Sequence, residues 1–418
     1  MDIITPNIKS KEQESVLRLT CEPLDEVRIG YIGLGVRAKR ALERMMNIEG
    51  ARVTALCDFV QENIEIANDI VHRYGGKTPL AFSGGYGWRS LCESEEVDLV
   101  YICTDWMSHA EIAFYAMECG KHVAVEVPAA MSISDCWRLV DAAEKYRRHC
   151  IMLENCCYDD FELATLNMIK EGVLGEIVHA EGSYIHDLRK RISTNDSGGR
   201  LWTNWQVEYM NRHVGNPYPT HGLGPIALAL GIHRGDRMKS LVSLSSHSVS
   251  SNSVSGVEFS GTMNSALITT EKNKTILIQC CMTLPRPYSR SYMISGTKGY
   301  VQKYPVHSMS FAPDSDNIFI GEQCDSIIGR HRHTFVEKYA KRGKELCGKR
   351  WIDFAMDERL IYCLRNGLPL DMDVYDAAEW SSLVELTEQS ALAGGAPVEI
   401  PDFTRGRWDV LKGVEFAE

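Results

Sequence analysis

Two glycines and an alanine follow the first apolar segment of the chain in an order that suits a phosphate-binding turn. Gly33, Gly35 and Ala38 fit the pattern G-x-G-x-x-G/A between a strand-like run and a helix-like run. In this pattern the first glycine makes a tight turn, the second lets backbone approach a pyrophosphate, and the small third residue permits close helix packing. The N-terminus of the following helix offers N–H donors and positive potential to phosphates, and Arg37 adds a cation.

An acidic residue stands where a dinucleotide-binding turn needs one. Asp58 lies at the end of the second strand-like run, twenty residues beyond Ala38. A carboxylate at that place suits hydrogen bonds to ribose hydroxyls. Because it also repels a 2′-phosphate, the pattern predicts NAD rather than NADP. The alternative is a plain βα turn followed by an exposed aspartate.

Strand-like and helix-like runs alternate through the first part of the chain, which predicts an open parallel sheet with right-handed crossovers. The expected strands are residues 27–32, 52–57, 97–103 and 122–127, and the expected helices are 37–47, 61–74, 109–119 and 134–148.

After residue 151 strand-like runs follow one another, which predicts a mostly antiparallel open sheet flanked by helices. The expected strands are residues 177–185, 240–247, 265–270, 275–282 and 292–294, the expected helices are 161–170, 224–230, 333–345, 353–365 and 374–393, and 245–255 is expected to be a loop. The fold class is therefore α/β: a doubly wound Rossmann sheet plus a C-terminal α+β domain. The predicted domains are an N-terminal arm (1–25), a dinucleotide-binding domain (26–150) and a substrate-binding domain with C-terminal helices (151–418).

Composition excludes several classes of partner. The 418 residues are 44% hydrophobic and 24% charged, as in an ordinary globular protein. A net charge of -11 argues against nucleic acid. No stretch approaches the ~20 apolar residues of a membrane helix, and the first residues lack the apolar run of a signal peptide. A cytoplasmic location is therefore expected, with a leader already removed as the alternative.

The fourteen cysteines favour reduced thiols, since several lie inside apolar runs. No pair has CxxC spacing, so no metal site is predicted.

Six longer strings of residues resemble the Gfo/Idh/MocA family of sugar oxidoreductases, and more narrowly glycoside hydrolase family 109. The strings are CTDWMSH (103–109), GKHVAVEVPA (120–129), MLENCCYD (152–159), GSYIHDLR (182–189), YPTHGLGP (218–225) and PRPYSR (285–290). The activity known for family 109 is α-N-acetylgalactosaminidase, so the resemblance implies a glycosidase that uses NAD.

The resemblance also implies the site residues. Those expected at NAD, besides the two glycines of the turn, are Val36, Arg37, Asp58, Trp106, His109, Glu126, Val127 and Asn155. Those expected around the sugar are Tyr184, Tyr218, Pro219, Thr220, His221 and Tyr288. Two departures from the family pattern matter. Val127 stands where sugar dehydrogenases carry a lysine, which favours the glycosidase branch, and Gln206 stands where the glycosidases have arginine, which leaves the exact sugar open.

NAD-dependent glycosidases avoid the usual pair of carboxylates. The sugar C3 is transiently oxidised, the C2 proton and the C1 aglycone are eliminated, water adds, and the ketone is reduced again. NAD is thus regenerated in each turnover and is expected to be tightly bound. His221 is the best acid/base candidate because imidazole titrates near neutral pH, and Tyr184 can share the proton transfers. Which of the two removes the C2 proton stays open.

The same residues also have structural interpretations. His221 can mark a helix start, Tyr184 can pack in a core, and Trp106 and His109 can belong to a loop and helix start. His186, on the same strand face as Tyr184, is either pocket lining or surface. The pair Asp159-Asp160 is expected to be solvated.

Three functions follow in order of preference. The first is an NAD-dependent glycosidase acting on terminal N-acetylhexosamine glycosides, with α-linked N-acetylgalactosamine foremost. The alternative is an NAD-dependent sugar dehydrogenase, and the third is a non-catalytic, NAD-bound sugar sensor. The partner expected is a small sugar or glycan terminus, with no nucleic acid and no membrane, and the wider family implies a homodimer.

Overall fold

The computed structural model describes residues 13–189, 204–248 and 261–418, so the first part of the predicted arm and much of the predicted 245–255 loop lie outside the described residues. The described chain forms two compact units. One, the parallel-sheet unit, contains residues 13–155, 338–378 and 415–418. The other, the mixed-sheet unit, contains residues 156–189, 204–248, 261–337 and 379–414.

Six parallel strands form the sheet of the first unit, in the order β3-β2-β1-β4-β5-β6. This is the Rossmann order, and it confirms the predicted doubly wound sheet. The strand order reverses between β1 and β4, because the chain adds β2 and β3 on one side of β1 and β4 to β6 on the other, and a ligand crevice opens at this point in such sheets. The strands are β1 (Val27–Ile32), β2 (Ala51–Asp58), β3 (Leu80–Ser83), β4 (Leu99–Ile102), β5 (His122–Val125) and β6 (Cys150–Met152).

The strands β1, β4 and β5 are buried almost throughout, as expected for strands covered by helices on both faces. The helices in the first part of the chain are α1 (Val36–Met45), α2 (Gln61–Arg73), α3 (Gly87–Glu93), α4 (Trp106–Glu118) and α5 (Ile133–Tyr146). A later helix, α11 (Trp351–Arg365), also belongs to this unit, although it follows the second sheet in the sequence.

The second sheet has nine strands in the order β14-β13-β12-β11-β7-β10-β9-β8-β15. Only the β7–β10 pair is parallel among these described strands, which confirms a mostly antiparallel sheet. The strands are β7 (Ile177–Ile185), β8 (Met238–Ser245), β9 (Met263–Thr270), β10 (Thr275–Cys281), β11 (Ser289–Gly296), β12 (Gly299–Gln302), β13 (Ser308–Phe311), β14 (Asp314–Ile320) and β15 (Val398–Glu399).

Burial alternates along β9, so that one face of this sheet is covered and the other is open. Helix α8 packs on β7 and β11 of the mixed-sheet unit. The remaining helices are α6 (Asp160–Lys170), α7 (Asn204–Arg212), α8 (Thr220–Leu230), α9 (Glu322–Arg330), α10 (Thr334–Cys347) and α12 (Val374–Leu392). Across the described ranges, no helix combines the length and the apolar character that crossing a bilayer requires.

Candidate functional site

The turn after β1 needs glycine at its first position. Gly33 has φ +83°, and a Cβ there would lie 2.8 Å from the backbone of Cys103 in the loop after β4. At Gly35 an added Cβ would meet no described atom within 4 Å, and Ala38 is fully buried against the sheet. The turn is therefore closed toward the protein at its first glycine and open at its second, as a turn that receives a phosphate must be.

Helix α1 begins directly at this opening. Gly35 is its N-cap residue, no side chain caps it, and its first turn contains no acidic residue. The N–H groups of the first turn therefore suit an anion. Val36, in that turn, is 44% exposed.

Asp58 is bonded to the glycine turn. Its Oδ2 accepts the backbone N–H of Leu34 at 2.6 Å, and its Oδ1 accepts that of Val60 at 2.8 Å. The carboxylate therefore joins the end of β2 to the turn after β1. Its position at the carboxyl edge of the sheet is the one that the ribose of a dinucleotide requires.

Arg37 lies in the first turn of α1 and pairs with two carboxylates of the same unit. Its Nε donates to Glu126 Oε1 at 2.6 Å, and its Nη2 lies 3.6 Å from Asp353 Oδ1. Asn155 Nδ2 donates to the same Asp353 oxygen. Arg37, Glu126 and Asn155, which the sequence places at NAD, are thus linked with Asp353. The sequence analysis gave Asp353 no role, because no local pattern near it indicates these contacts.

The loop after β4 is held by its own hydrogen bonds. Asp105 caps α4 by accepting the N–H groups of Met107 and Ser108. His109 is fully buried, with Nδ1 2.8 Å from the carbonyl oxygen of Pro128 and Nε2 3.2 Å from that of Thr104. Burial lowers the pKa of His109. This histidine ties the β4 loop to the β5 loop.

Trp106, at the start of α4, and Val127, after β5, are also buried, with 3% and 4% of their surface exposed. Both therefore lie among protein atoms at the carboxyl edge of the sheet.

In the mixed-sheet unit, an aromatic cluster surrounds the end of β7. The ring of Tyr184 lies 4.9 Å from that of Tyr218, 5.6 Å from that of His221 and 6.3 Å from that of Tyr288. Tyr218 and His221 lie 4.9 Å apart. The structure therefore brings together four of the six residues that the sequence places around the sugar, each with a polar atom on an apolar ring.

Two facing glycines bring His221 close to Tyr184. A Cβ on Gly222 would lie 2.5 Å from the backbone nitrogen of Ser183, and one on Gly182 would collide with the Gly222 carbonyl. Helix α8 and strand β7 can therefore touch backbone to backbone, and His221 and Tyr184 follow from this contact.

Helix α8 begins earlier than the sequence pattern predicted. It was expected to start at Gly224, but it starts at Thr220, with Pro219 as its N-cap residue. His221 therefore lies in the first helical turn rather than in a loop. Thr220 is completely buried, and its hydroxyl has no hydrogen-bond partner among the described residues.

The cluster also contains residues to which the sequence gave no settled role. His186 Nδ1 lies 3.2 Å from the Tyr184 hydroxyl, and its ring lies 5.1 Å from that of Tyr288, so it belongs to the cluster. Cys156 is buried and has its Sγ 3.5 Å from Nδ1 of His221. Cys156 lies 65 residues before His221, so no local sequence pattern pairs the two.

A cluster of ion pairs includes Arg290, which stands two residues after Tyr288 in the sequence. Lys303 Nζ lies 2.6 Å from carboxylate oxygens of Asp159 and Glu162, and Arg290 Nη2 lies 3.1 and 3.0 Å from the same two residues. Burial alone raises the pKa of Asp159, but Lys303 and Arg290 lower it to about 2. The prediction that Asp159 is a solvated charge is therefore wrong.

Family models of known proteins match both parts of the sequence. The family model "Glycosyl hydrolase 109, C-terminal domain" matches residues 158–410, which is more than half of the chain. The chain belongs to glycosyl hydrolase family 109. The model "Oxidoreductase family, NAD-binding Rossmann fold" matches residues 27–154.

Two relatives of this family 109 member are similar over nearly their whole lengths. "Glycosyl hydrolase family 109 protein 2" from Phocaeicola vulgatus is 50% identical over 95% of this chain and 99% of its own length. "Alpha-N-acetylgalactosaminidase" from Bacteroides fragilis is 49% identical over 96% of this chain and 97% of its own. The protein is therefore a glycoside hydrolase.

Solved structures agree with the fold of the family 109 chain. The NAD binding oxidoreductase from Klebsiella pneumoniae matches with a TM-score of 0.68 and 16% identity, over 91% of this chain and 100% of that one. Levoglucosan dehydrogenase in complex with NADH matches with a TM-score of 0.68 and 15% identity, over 90% and 100%. At these identities the likeness establishes the fold alone.

Proposed function

We propose that this family 109 enzyme hydrolyses terminal N-acetylhexosamine glycosides, α-N-acetylgalactosaminides foremost, with NAD bound tightly and regenerated in each turnover. The observation that carries the proposal is the open glycine turn of a Rossmann sheet in a chain that is a glycoside hydrolase. The relative named alpha-N-acetylgalactosaminidase, at 49% identity, supports the choice of sugar. The homodimer expected from the wider family stays a prediction.

The parallel-sheet unit fits a dinucleotide. Gly33 and Gly35 shape a turn with room at its second glycine, and the N-terminus of α1 faces that room without a capping side chain. Asp58 would hold the ribose and exclude a 2′-phosphate, which favours NAD over NADP. The loops at the carboxyl edge of the parallel sheet also expose apolar side chains, among them Phe59 at 73% and Met107 at 64%. Such side chains suit the flat rings of the cofactor.

Bound NAD⁺ would supply a reversible oxidation of the sugar C3 hydroxyl. A ketone at C3 makes the C2 proton acidic, so the aglycone on C1 can leave by elimination once that proton is removed. Water then adds its oxygen to C1 and a proton to C2. The chain must therefore provide a group that takes a proton from C2 and returns one, and a second group that exchanges the C3 hydroxyl proton.

We assign these proton transfers to His221 and Tyr184, whose rings lie 5.6 Å apart. His221 stands in the first turn of α8, where the positive end of the helix dipole favours the neutral imidazole that a base must be. Tyr184 has His186 beside its hydroxyl as a partner for proton exchange. Tyr218 and Tyr288 offer ring faces and hydroxyls for recognition of the sugar.

Hydrolysis of an aryl α-N-acetylgalactosaminide in D₂O tests the proposal. The released sugar should carry deuterium at C2, and protein freed of nucleotide should regain turnover when NAD⁺ is added. Replacement of His221 by alanine should lower kcat by about 10²- to 10⁴-fold and leave NAD⁺ affinity unchanged. Aglycone release without NAD⁺ and without deuterium would overturn the redox route, whereas stoichiometric NADH from free sugars would identify a dehydrogenase.

A further inference from the structure

Two aspartates one helical turn apart on α11 are buried in the parallel-sheet unit. Asp353 is 1% exposed and Asp357 is fully buried, and their i, i+4 spacing places them on one face of the helix. Arg44 of α1 contacts both: its Nε donates to Asp357 Oδ2 at 2.8 Å, and its Nη1 lies 3.7 Å from Asp353 Oδ2. The two carboxylates thus share one cation.

Their other oxygens have different partners. Asp353 Oδ1 accepts the amide of Asn155 and lies 3.6 Å from Nη2 of Arg37. Asp357 Oδ1 accepts the hydroxyl of Tyr101 at 3.1 Å. The two residues therefore match in type, helix and burial, but in these contacts only Asp353 meets residues assigned to NAD.

The pKa values of the two carboxyl groups also differ, and the difference has a physical cause in their surroundings. Burial alone raises the pKa of both. At Asp353 the charges of Arg37 and Arg44 and the hydrogen bond from Asn155 outweigh burial, and its pKa lies below the ordinary value. At Asp357 burial prevails and the pKa is raised. Asp353 is therefore the more strongly stabilised carboxylate of the two, and a carboxylate can accept hydrogen bonds from two donors at once.

We propose that Asp353 is a positioning residue of the NAD site, which orients the Asn155 amide and the Arg37 guanidinium before the nucleotide arrives. This inference rests on the proposed function, since it assumes that the parallel-sheet unit binds NAD. Asn155 ends the first part of this unit, and Asp353 lies 198 residues further along the chain. Such orientation favours binding because the side chains need not be ordered when the ligand binds.

Paired variants separate positioning from simple stability. Asp353→Asn leaves a neutral amide oxygen and removes the negative charge that Asn155 and Arg37 share, whereas Asp357→Asn removes the charge of an equally buried carboxylate that contacts neither. Titration calorimetry of the full chain should show NAD⁺ affinity about 10- to 100-fold weaker in D353N, the effect of losing the charged partner of these hydrogen bonds. D357N should bind NAD⁺ within about 3-fold of wild type, although the apo melting temperature falls in both.

A second pair covers the case in which D353N does not fold. Asp353→Glu and Asp357→Glu keep both buried charges and move each carboxylate by one methylene group. Weaker NAD⁺ binding in D353E than in D357E supports the positioning role. Equal affinity of wild type and folded position-353 variants, or equal losses at both positions, overturns it. A wild-type chain with no NAD⁺ affinity would instead refute the proposed function.

Discussion

The Sγ atom of Cys156 lies 3.5 Å from Nδ1 of His221, in the candidate sugar site. At this distance the Nδ1–H group of a neutral imidazole can donate to the sulfur, which leaves Nε2 without a proton. The thiol thereby favours the tautomer whose Nε2 can accept a proton from a substrate.

Replacing Cys156 by valine should remove this stabilisation. We expect kcat to fall about 3- to 10-fold, the effect of one net hydrogen bond. Cys156→Ser, which retains a hydrogen-bonding atom, should lower kcat less. Cys157→Val is the matched control, since Cys157 is buried next to it in the sequence. An unchanged kcat in Cys156→Val would contradict a role for the thiol.

The glycine contact between α8 and β7 makes a second prediction. Gly222→Ala places a Cβ 2.5 Å from Ser183 backbone, so the helix must move away and His221 must move with it. We expect a loss of about 1–3 kcal/mol in the free energy of unfolding and a kcat lowered by at least about 10-fold.

Gly329→Ala is the control for that change. Gly329 lies in helix α9, and a Cβ there would meet no described atom within 4 Å. Alanine should stabilise this helix by about 0.5–1 kcal/mol and leave kcat unchanged. Urea unfolding and steady-state kinetics measure both quantities. If Gly222→Ala kept wild-type kcat, close backbone contact would not be what positions His221.

Local patterns in the sequence predicted the glycine turn, four of the six strands of the parallel sheet and five of the nine strands of the second sheet. The apolar runs of β1 and β7 match the observed strands from end to end, because buried strands carry their own signal in hydrophobicity. Six strands were missed, and two of these have little buried surface. Strand β3 is four residues long and mostly exposed, and β14 is exposed at nearly every residue. Neither strand has the alternation of apolar and polar residues that predicts a half-buried strand.

Long-range pairs were beyond the reach of sequence pattern. Asp159 was expected to be solvated, yet its partner Lys303 lies 144 residues away. The sequence predicted that Asp353 lies on a helix of the second domain and gave it no further role. In the structure it accepts a hydrogen bond from Asn155 within the parallel-sheet unit. Charge partners across such distances follow from the fold itself, so only the residue type, and not its role, was visible in the sequence.

The carboxylate of Asp58 should decide which dinucleotide binds. Asp58→Asn keeps an oxygen acceptor for the Leu34 N–H group but removes the charge that repels a 2′-phosphate. Wild type should prefer NAD⁺ strongly, and the variant should narrow the ratio of NADP⁺ to NAD⁺ dissociation constants by about 10-fold, as expected for one screened charge pair. Asp69→Asn, which removes a carboxylate from the body of α2, should leave the ratio unchanged. A ratio that does not change in Asp58→Asn would remove Asp58 from the nucleotide site.

Two buried histidines should make the protein sensitive to acid. The rings of His122 and His149 lie 5.1 Å apart, and burial lowers the pKa of His122 to about 4 and that of His149 to about 3. Unfolded imidazoles titrate near 6.5, so below that pH the unfolded chain binds protons that the native chain does not. The free energy of unfolding should therefore fall as pH drops from about 6.5 to about 4, by up to roughly 1.4 kcal/mol per pH unit for each histidine.

His122→Asn tests this origin of the acid sensitivity. The side chain of His122 accepts the backbone N–H of His149 through Nδ1 at 3.1 Å, and asparagine can keep that hydrogen bond without titrating. Urea unfolding between about pH 7 and pH 5 should show a slope roughly 1 kcal/mol per pH unit shallower than in wild type, since one proton-binding group of the unfolded chain is gone. His72→Asn, at an exposed position of α2, serves as the control and should keep the wild-type slope. Equal slopes in wild type and His122→Asn would show that the acid sensitivity arises elsewhere.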